Sequence, residues 1–161
     1  TIATVGSEQK RAACERLGAD VSINYRAQDF VQAVADATNG QGADVVLDMV
    51  AGGYLQRNIA CLAEEGRIVV ISFLGGAEAT ISLMPLLRKR GIITGSTLRD
   101  RPVAFKSAIA SSLRDRVWPL FASGAIKPCV HSTFELCRAA EAHELMESSQ
   151  HVGKIVLTIE Q

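Results

Sequence analysis

Residues 42–48, Gly42-Ala43-Asp44-Val45-Val46-Leu47-Asp48, decide how this chain folds. Val45-Val46-Leu47 is apolar without the alternation of a strand that keeps one wet face. A continuous run of this kind belongs to a strand covered on both sides, the habit of parallel sheets whose crossovers are helices. Arg67–Phe73 repeats it with Ile68-Val69-Val70-Ile71 and is broken by Gly75-Gly76. Between the two, Tyr54–Ala63 is spaced as a helix, and Gly66 turns the chain. Upstream the rhythm continues. Ile2–Val5 and Val21–Tyr25 read as strands, Glu8–Leu17 and Asp29–Thr38 as helices, with Ser7 the N-cap of the first helix and Gly18 its left-handed stop. Downstream come a short helix, Leu83–Arg90, with Pro85 near its first turn, and a strand, Ile92–Leu98. Strands alternating with helices predict an α/β fold with a doubly wound, mostly parallel sheet.

After Arg99 the pattern changes. Pro102 introduces a longer helical stretch carrying Ile109, Leu113, Val117 and Leu120, which Pro119 bends or ends. Lys127–Phe134 reads as extended, Cys137–Ser148 as an amphipathic helix and Lys154–Ile159 as a terminal strand. The predicted division is therefore residues 1–99, holding the sheet, and residues 100–161.

Composition bounds the function. A chain of 161 residues makes one domain, or one and part of another. Its 17 Lys+Arg against 17 Asp+Glu lack the basic excess of a nucleic-acid binder. With 48% hydrophobic and 21% charged residues it is not a disordered composition. No apolar run approaches the roughly 20 residues of a membrane-spanning helix. Cys14, Cys61, Cys129 and Cys137 are scattered, and read as reduced core residues of a cytosolic protein. His131, His143 and His151 lack ligand spacing, so no metal site is expected. The chain opens at Thr1 on an apolar run without a targeting peptide, and reads as a piece of a longer protein.

Ligands of open parallel sheets bind beyond the carboxyl ends of the strands. Gly6-Ser7, Tyr25, Asp48-Met49-Val50, Ser72–Gly76 and Thr97-Leu98 lie there. A dinucleotide fold that prefers NAD carries Asp or Glu at the end of its second strand, for the ribose 2′-hydroxyl. Here Thr4-Val5-Gly6-Ser7 offers no carboxylate before Glu8, while Lys10 and Arg11 follow within one helical turn. Ser7 can donate its hydroxyl and its backbone N–H at a helix N-terminus. That is phosphate-binding chemistry and points to NADP. The plainer alternative makes Lys10 and Arg11 a solvated helix face. Asp48 reads as a carboxylate that bonds nearby loop amides in preference to a general base. Phe73 and Leu74 form either ordinary core or, beside their glycine pair, an apolar wall for a flat ligand. Arg88-Lys89-Arg90 reads as a solvated helix end.

The chain resembles the carboxyl-terminal half of the NADPH:quinone oxidoreductases, the zeta-crystallin-like and zinc-independent branch of the medium-chain dehydrogenase/reductase family. The resemblance rests on Val5-Gly6-Ser7 with Lys10, Leu17-Gly18-Ala19-Asp20, Ile23-Asn24-Tyr25 and Gly42–Asp48. It continues through Gly66-Arg67-Ile68-Val69, Phe73-Leu74-Gly75-Gly76, Leu86–Arg90, Gly95–Arg99 and Gly153–Leu157, over essentially the whole chain. It implies a Rossmann-type domain over residues 1–99 that binds NADPH, and a segment over 100–161 associated with a catalytic domain. Gly6, Ser7, Lys10 and Tyr25 would surround the adenosine 2′-phosphate, Tyr54 would lie near the cofactor, and Ser72, Phe73 and Leu74 would meet the nicotinamide. The implied reaction is hydride transfer from NADPH to a quinone or, in a sister enzyme, an activated alkene; a non-catalytic NADPH-binding module is the other reading. No residue here is expected to act as acid, base, nucleophile or metal ligand. The resemblance also puts the pyrophosphate turn, the first strand and the first helix upstream of Thr1. Ile2–Val5 and Val45–Asp48 would then face a gap at the centre of the sheet. A homodimer through the edge strand 92–98, located in the cytoplasm, completes the expectation.

Overall fold

Ser7 and Asp29 start the first two helices by the same device, a side-chain oxygen that accepts an orphan backbone N–H. Ser7 Oγ accepts from Lys10 N at 3.3 Å, and Asp29 Oδ1 from Val31 N at 3.1 Å. The Arg57 guanidinium, with the Val31 amide, holds the Asp29 carboxyl below its ordinary range. The computed structural model describes residues 1–159. The chain divides into two units, Thr1–Asp100 and a second that begins at Arg101. The first runs β1 (Ile2–Val5), α1 (Glu8–Arg16), β2 (Val21–Asn24), α2 (Phe30–Ala37), β3 (Ala43–Asp48), α3 (Tyr54–Cys61), β4 (Leu62–Val70), α4 (Leu83–Arg88) and β5 (Ile92–Gly95).

Every strand pair in this unit is parallel, which confirms the α/β class. The sheet is broken where the family resemblance placed a gap. β1 pairs with β2, β3 with β4 and β4 with β5, and no described strand takes the remaining edge of β1 or of β3. Two small cores lie on the helical side. Ile23, Phe30, Val34 and Cys61 form one; Ile59, Leu62 and Ile68 form the other, with Val46 packed against it. Successive strand residues point to opposite faces, so Val45 and Leu47 turn away from that core and are 64% and 62% exposed. The apolar run predicts two covered faces for β3; the structure covers one.

Several boundaries move for physical reasons. β4 begins at Leu62, not at Arg67. Ala43 pairs with Leu62 and Val45 with Arg67, so residues 63–66 bulge out within the strand and Gly66 turns a bulge. β4 ends at Val70 and β5 at Gly95, short of the predicted Phe73 and Leu98. The Arg88-Lys89-Arg90 run is not simply solvated. Lys89 Nζ donates to the carbonyls of Ile59, Ala60 and Leu62 at 3.3, 2.7 and 2.5 Å, capping the end of α3. Arg90 pairs with Glu64 and Glu65. Cys61 is buried, and burial pushes its thiol up; Cys129 and Cys137 are exposed, so the expectation of core cysteines fails there.

In the second unit, α5 (Val103–Arg116) and α6 (Trp118–Ala122) are separate helices. Pro119 lies in the first turn of α6, where a missing N–H costs nothing, so it starts a helix where the sequence suggests an end. β6 (Val130–Glu135), a short 3-10 turn, α7 (Ala139–Glu147) and β7 (Lys154–Thr158) follow, with β6 and β7 parallel.

Candidate functional site

The end of β1 builds the site. Tyr25 N donates to Val5 O at 3.0 Å, which carries the β1–β2 ladder one residue past β2 and sets Tyr25 beside Gly6. A Cβ on Gly6 would lie 2.8 Å from the Tyr25 hydroxyl oxygen and 3.5 Å from Arg26 Nε. Gly6 therefore serves close approach, since it has no positive φ to accommodate. Ser7 follows as the cap of α1; its oxygen is used by the Lys10 amide, which leaves the hydroxyl proton to donate. Lys10 stands in the first turn above it.

Arg11 does not join this group. Its Nε donates to Glu8 Oε2 at 2.6 Å and its Nη1 to Glu15 Oε1 at 2.5 Å. Arg11 first, then Asn24, holds the Glu8 carboxyl below its ordinary range. Asn24, buried, fastens both sides of the site: Nδ2 donates to Glu8 Oε1 at 2.7 Å, and Oδ1 accepts from Arg26 N at 3.1 Å. Arg26 escapes a reading of the strand ends, because it lies one residue beyond the apolar pattern and only the turn returns it toward Gly6.

Tyr54 comes to the same region from α3. Its ring stacks on Phe30 with centroids 5.6 Å apart and meets the Tyr25 ring edge-on at 6.4 Å. Arg57 lies over Phe30, 4.0 Å from its centroid, and bonds Asp29 at 2.7 Å. Tyr54 thus braces Tyr25 from behind.

Ser72, Phe73 and Leu74 form a separate group on the loop after β4. Leu74 N donates to Met49 O at 3.2 Å and Gly75 N to Val50 O at 2.7 Å, which zips this loop to the one after β3. Phe73 and Leu74 are exposed, so neither is core. Asp48 beneath them is a fastener. It is 3% exposed, its Oδ1 accepts from Val50 N at 2.8 Å and Ala51 N at 2.9 Å, and its Oδ2 from Asn58 Nδ2 at 2.9 Å. With its oxygens so engaged it holds the turn into α3, as the sequence reading preferred.

A nicotinamide dinucleotide can be tested against this geometry. The bare backbone at Gly6 with the Tyr25 hydroxyl against it, the Ser7 hydroxyl at a helix N-terminus and the Lys10 and Arg26 side chains suit the phosphorylated ribose of an adenosine. The residues present fit that end of the cofactor. The chain belongs to the zinc-binding dehydrogenase family, whose model matches residues 17–157. Within it, the relatives place the chain with the quinone oxidoreductase-like medium-chain dehydrogenase/reductases. It is 32% identical to 2-haloacrylate reductase of a Burkholderia species over 97% of this chain and 47% of that protein. It matches the Escherichia coli quinone oxidoreductase structure complexed with NADPH at 29% identity and a TM-score of 0.81, over 98% of this chain and 49% of that one. An NAD-dependent alcohol dehydrogenase structure matches at 32% identity and a TM-score of 0.77, over 99% and 43%. The chain spans about half the length of these proteins. The family's description names zinc, but among the described residues no group of three or more His, Cys, Asp and Glu could hold a metal. No described helix is long and apolar enough to cross a membrane.

Proposed function

We propose that this chain is the NADPH-binding part of an oxidoreductase that reduces a quinone. The observation that carries the reading is the close approach at Gly6, where a tyrosine hydroxyl and an arginine converge beside a capped helix N-terminus. When bound, the nicotinamide supplies a hydride. Gly6, Ser7, Lys10 and Tyr25 hold the adenosine end, while Ser72, Phe73 and Leu74 wall the nicotinamide from water. Residues 100–161 would serve a catalytic domain carried elsewhere, so the chain alone binds NADPH without reducing quinone. The cysteines, all free, suit the cytosol. A second reading, reduction of an electron-poor alkene, is favoured by the similarity to 2-haloacrylate reductase. NADPH oxidation by a longer protein that carries this chain, offered a quinone and a 2-haloacrylate in parallel, separates the two.

NADPH is expected to bind ten- to hundredfold more tightly than NADH, because a charge-assisted phosphate contact contributes roughly 1.5–3 kcal/mol. Lys10→Ala should reduce that difference. Gly6→Val, which fills the approach, should weaken both nucleotides. Fluorescence titration of each nucleotide measures this, and equal affinities in the unaltered chain would sink the reading.

We further propose a homodimer through β5, at the open edge of its sheet. Ser96 N donates inward to Val70 O at 3.0 Å, so by alternation Thr94 N also points to β4, while Ile93 and Gly95 point outward. Gly95→Lys is the informative change. Its Cβ would meet nothing nearer than Val70 O at 3.7 Å, so the chain folds while the edge gains a charge. Sedimentation should then show a monomer; an unchanged dimer would place the interface elsewhere.

A further inference from the structure

We infer that Arg26, and not Arg11, is the second cation that recognises the 2′-phosphate, and that it sets the preference for the phosphorylated ribose. This rests on the reading of the Gly6 region as a 2′-phosphate site. Lys10 and Arg11 are the basic pair visible in the sequence, but the fold assigns them differently. The Arg11 guanidinium is spent on Glu8 and Glu15, an i−3 and i+4 clamp along α1. Arg26 forms no ion pair among the described residues, and its Nε lies 3.5 Å from where a Gly6 Cβ would stand, on the side of the Tyr25 hydroxyl.

The backbone of Arg26 is fixed for this task. Its N–H is held by Asn24 Oδ1, and Ala27 N and Gln28 N donate to Asn24 O at 3.0 and 3.1 Å, so the turn after β2 is closed by one buried residue. Glu8 is the carboxylate that would oppose an anion here. Arg11 and Asn24 occupy it, which leaves the Arg26 charge available to the phosphate. A guanidinium presents paired N–H donors that match phosphate oxygens, where the Lys10 ammonium adds a point charge. Tyr25 Oη and Arg26 Nε lie 2.8 and 3.5 Å from the same Gly6 Cβ position, so the hydroxyl and the guanidinium converge on one side of Gly6.

Calorimetric titration of the chain with adenosine 2′,5′-bisphosphate and with adenosine 5′-monophosphate tests this. The unaltered chain should prefer the bisphosphate. Arg26→Gln should weaken the bisphosphate roughly tenfold or more and leave the monophosphate unchanged, which also shows that the fold survives. Arg26→Lys should recover part of the loss, and Arg11→Gln should leave the preference intact. If the unaltered chain does not prefer the bisphosphate, the 2′-phosphate reading and this inference fall together. If it does, and Arg26→Gln keeps the preference or Arg11→Gln abolishes it, the assignment to Arg26 is overturned while the site stands.

Discussion

Asp48→Ala should destabilise the first unit by about 3–5 kcal/mol, since hydrogen bonds to a buried charged group contribute roughly 1.5–3 kcal/mol each and do not add fully. The substitution leaves the amides of Val50 and Ala51 and the side chain of Asn58 without their acceptor, in a place where Asp48 is 3% exposed. Against a total stability of about 5–15 kcal/mol, that is enough to unfold much of the population. Asp48→Asn should cost less. The amide oxygen can still serve Val50 and Ala51, and only the bond to Asn58 turns into a clash of two donors. Urea titration followed by circular dichroism reads both variants. A loss below about 1 kcal/mol for Asp48→Ala would mean that the carboxylate does not hold the turn.

Gly42→Ala is the second large effect, at about 2–4 kcal/mol, and it arises from two separable sources. Gly42 has φ +84°, where an L side chain is strained. Its Cβ would also stand 2.5 Å from the backbone carbon and oxygen of Leu62, at the bulge that joins β3 to β4. Backbone cannot swing aside as a side-chain tip can, so the strands must part. Gly40→Ala is the control. Its φ is +79° with no atom within 4 Å of the added Cβ, so it carries the conformational cost alone, about 1–2 kcal/mol. Equal losses for the two variants in urea titrations would show that the close approach at Leu62 contributes nothing.

The proposed cofactor preference turns on smaller energies than either of these. A single charge-assisted contact can change which nucleotide binds while hardly altering the fold. For that reason the fold should tolerate mutation at Lys10, half-buried, and Arg26, exposed, where it should not at Asp48 and Gly42.

The succession of strands and helices was legible in the sequence because it depends on local pattern. Val45-Val46-Leu47 and Ile68–Ile71 are strand-forming whatever surrounds them, and Ser7 and Asp29 cap helices through bonds to residues two or three positions away. The positions of Gly6, Ser7, Lys10 and Tyr25 at strand ends and a helix start were legible for a related reason, and such ends are where parallel sheets gather their ligands. Tertiary structure decided whatever depends on partners distant in the chain. It withdrew Arg11 into a clamp with Glu8 and Glu15 and returned Arg26 to Gly6, across a turn that no periodicity marks. It gave Lys89 the carbonyls of α3 and made Asp48 a fastener through Asn58, ten residues on. It also left Val45 and Leu47 exposed, for a run of apolar residues states what a strand can bury and only the neighbouring elements determine what it does bury.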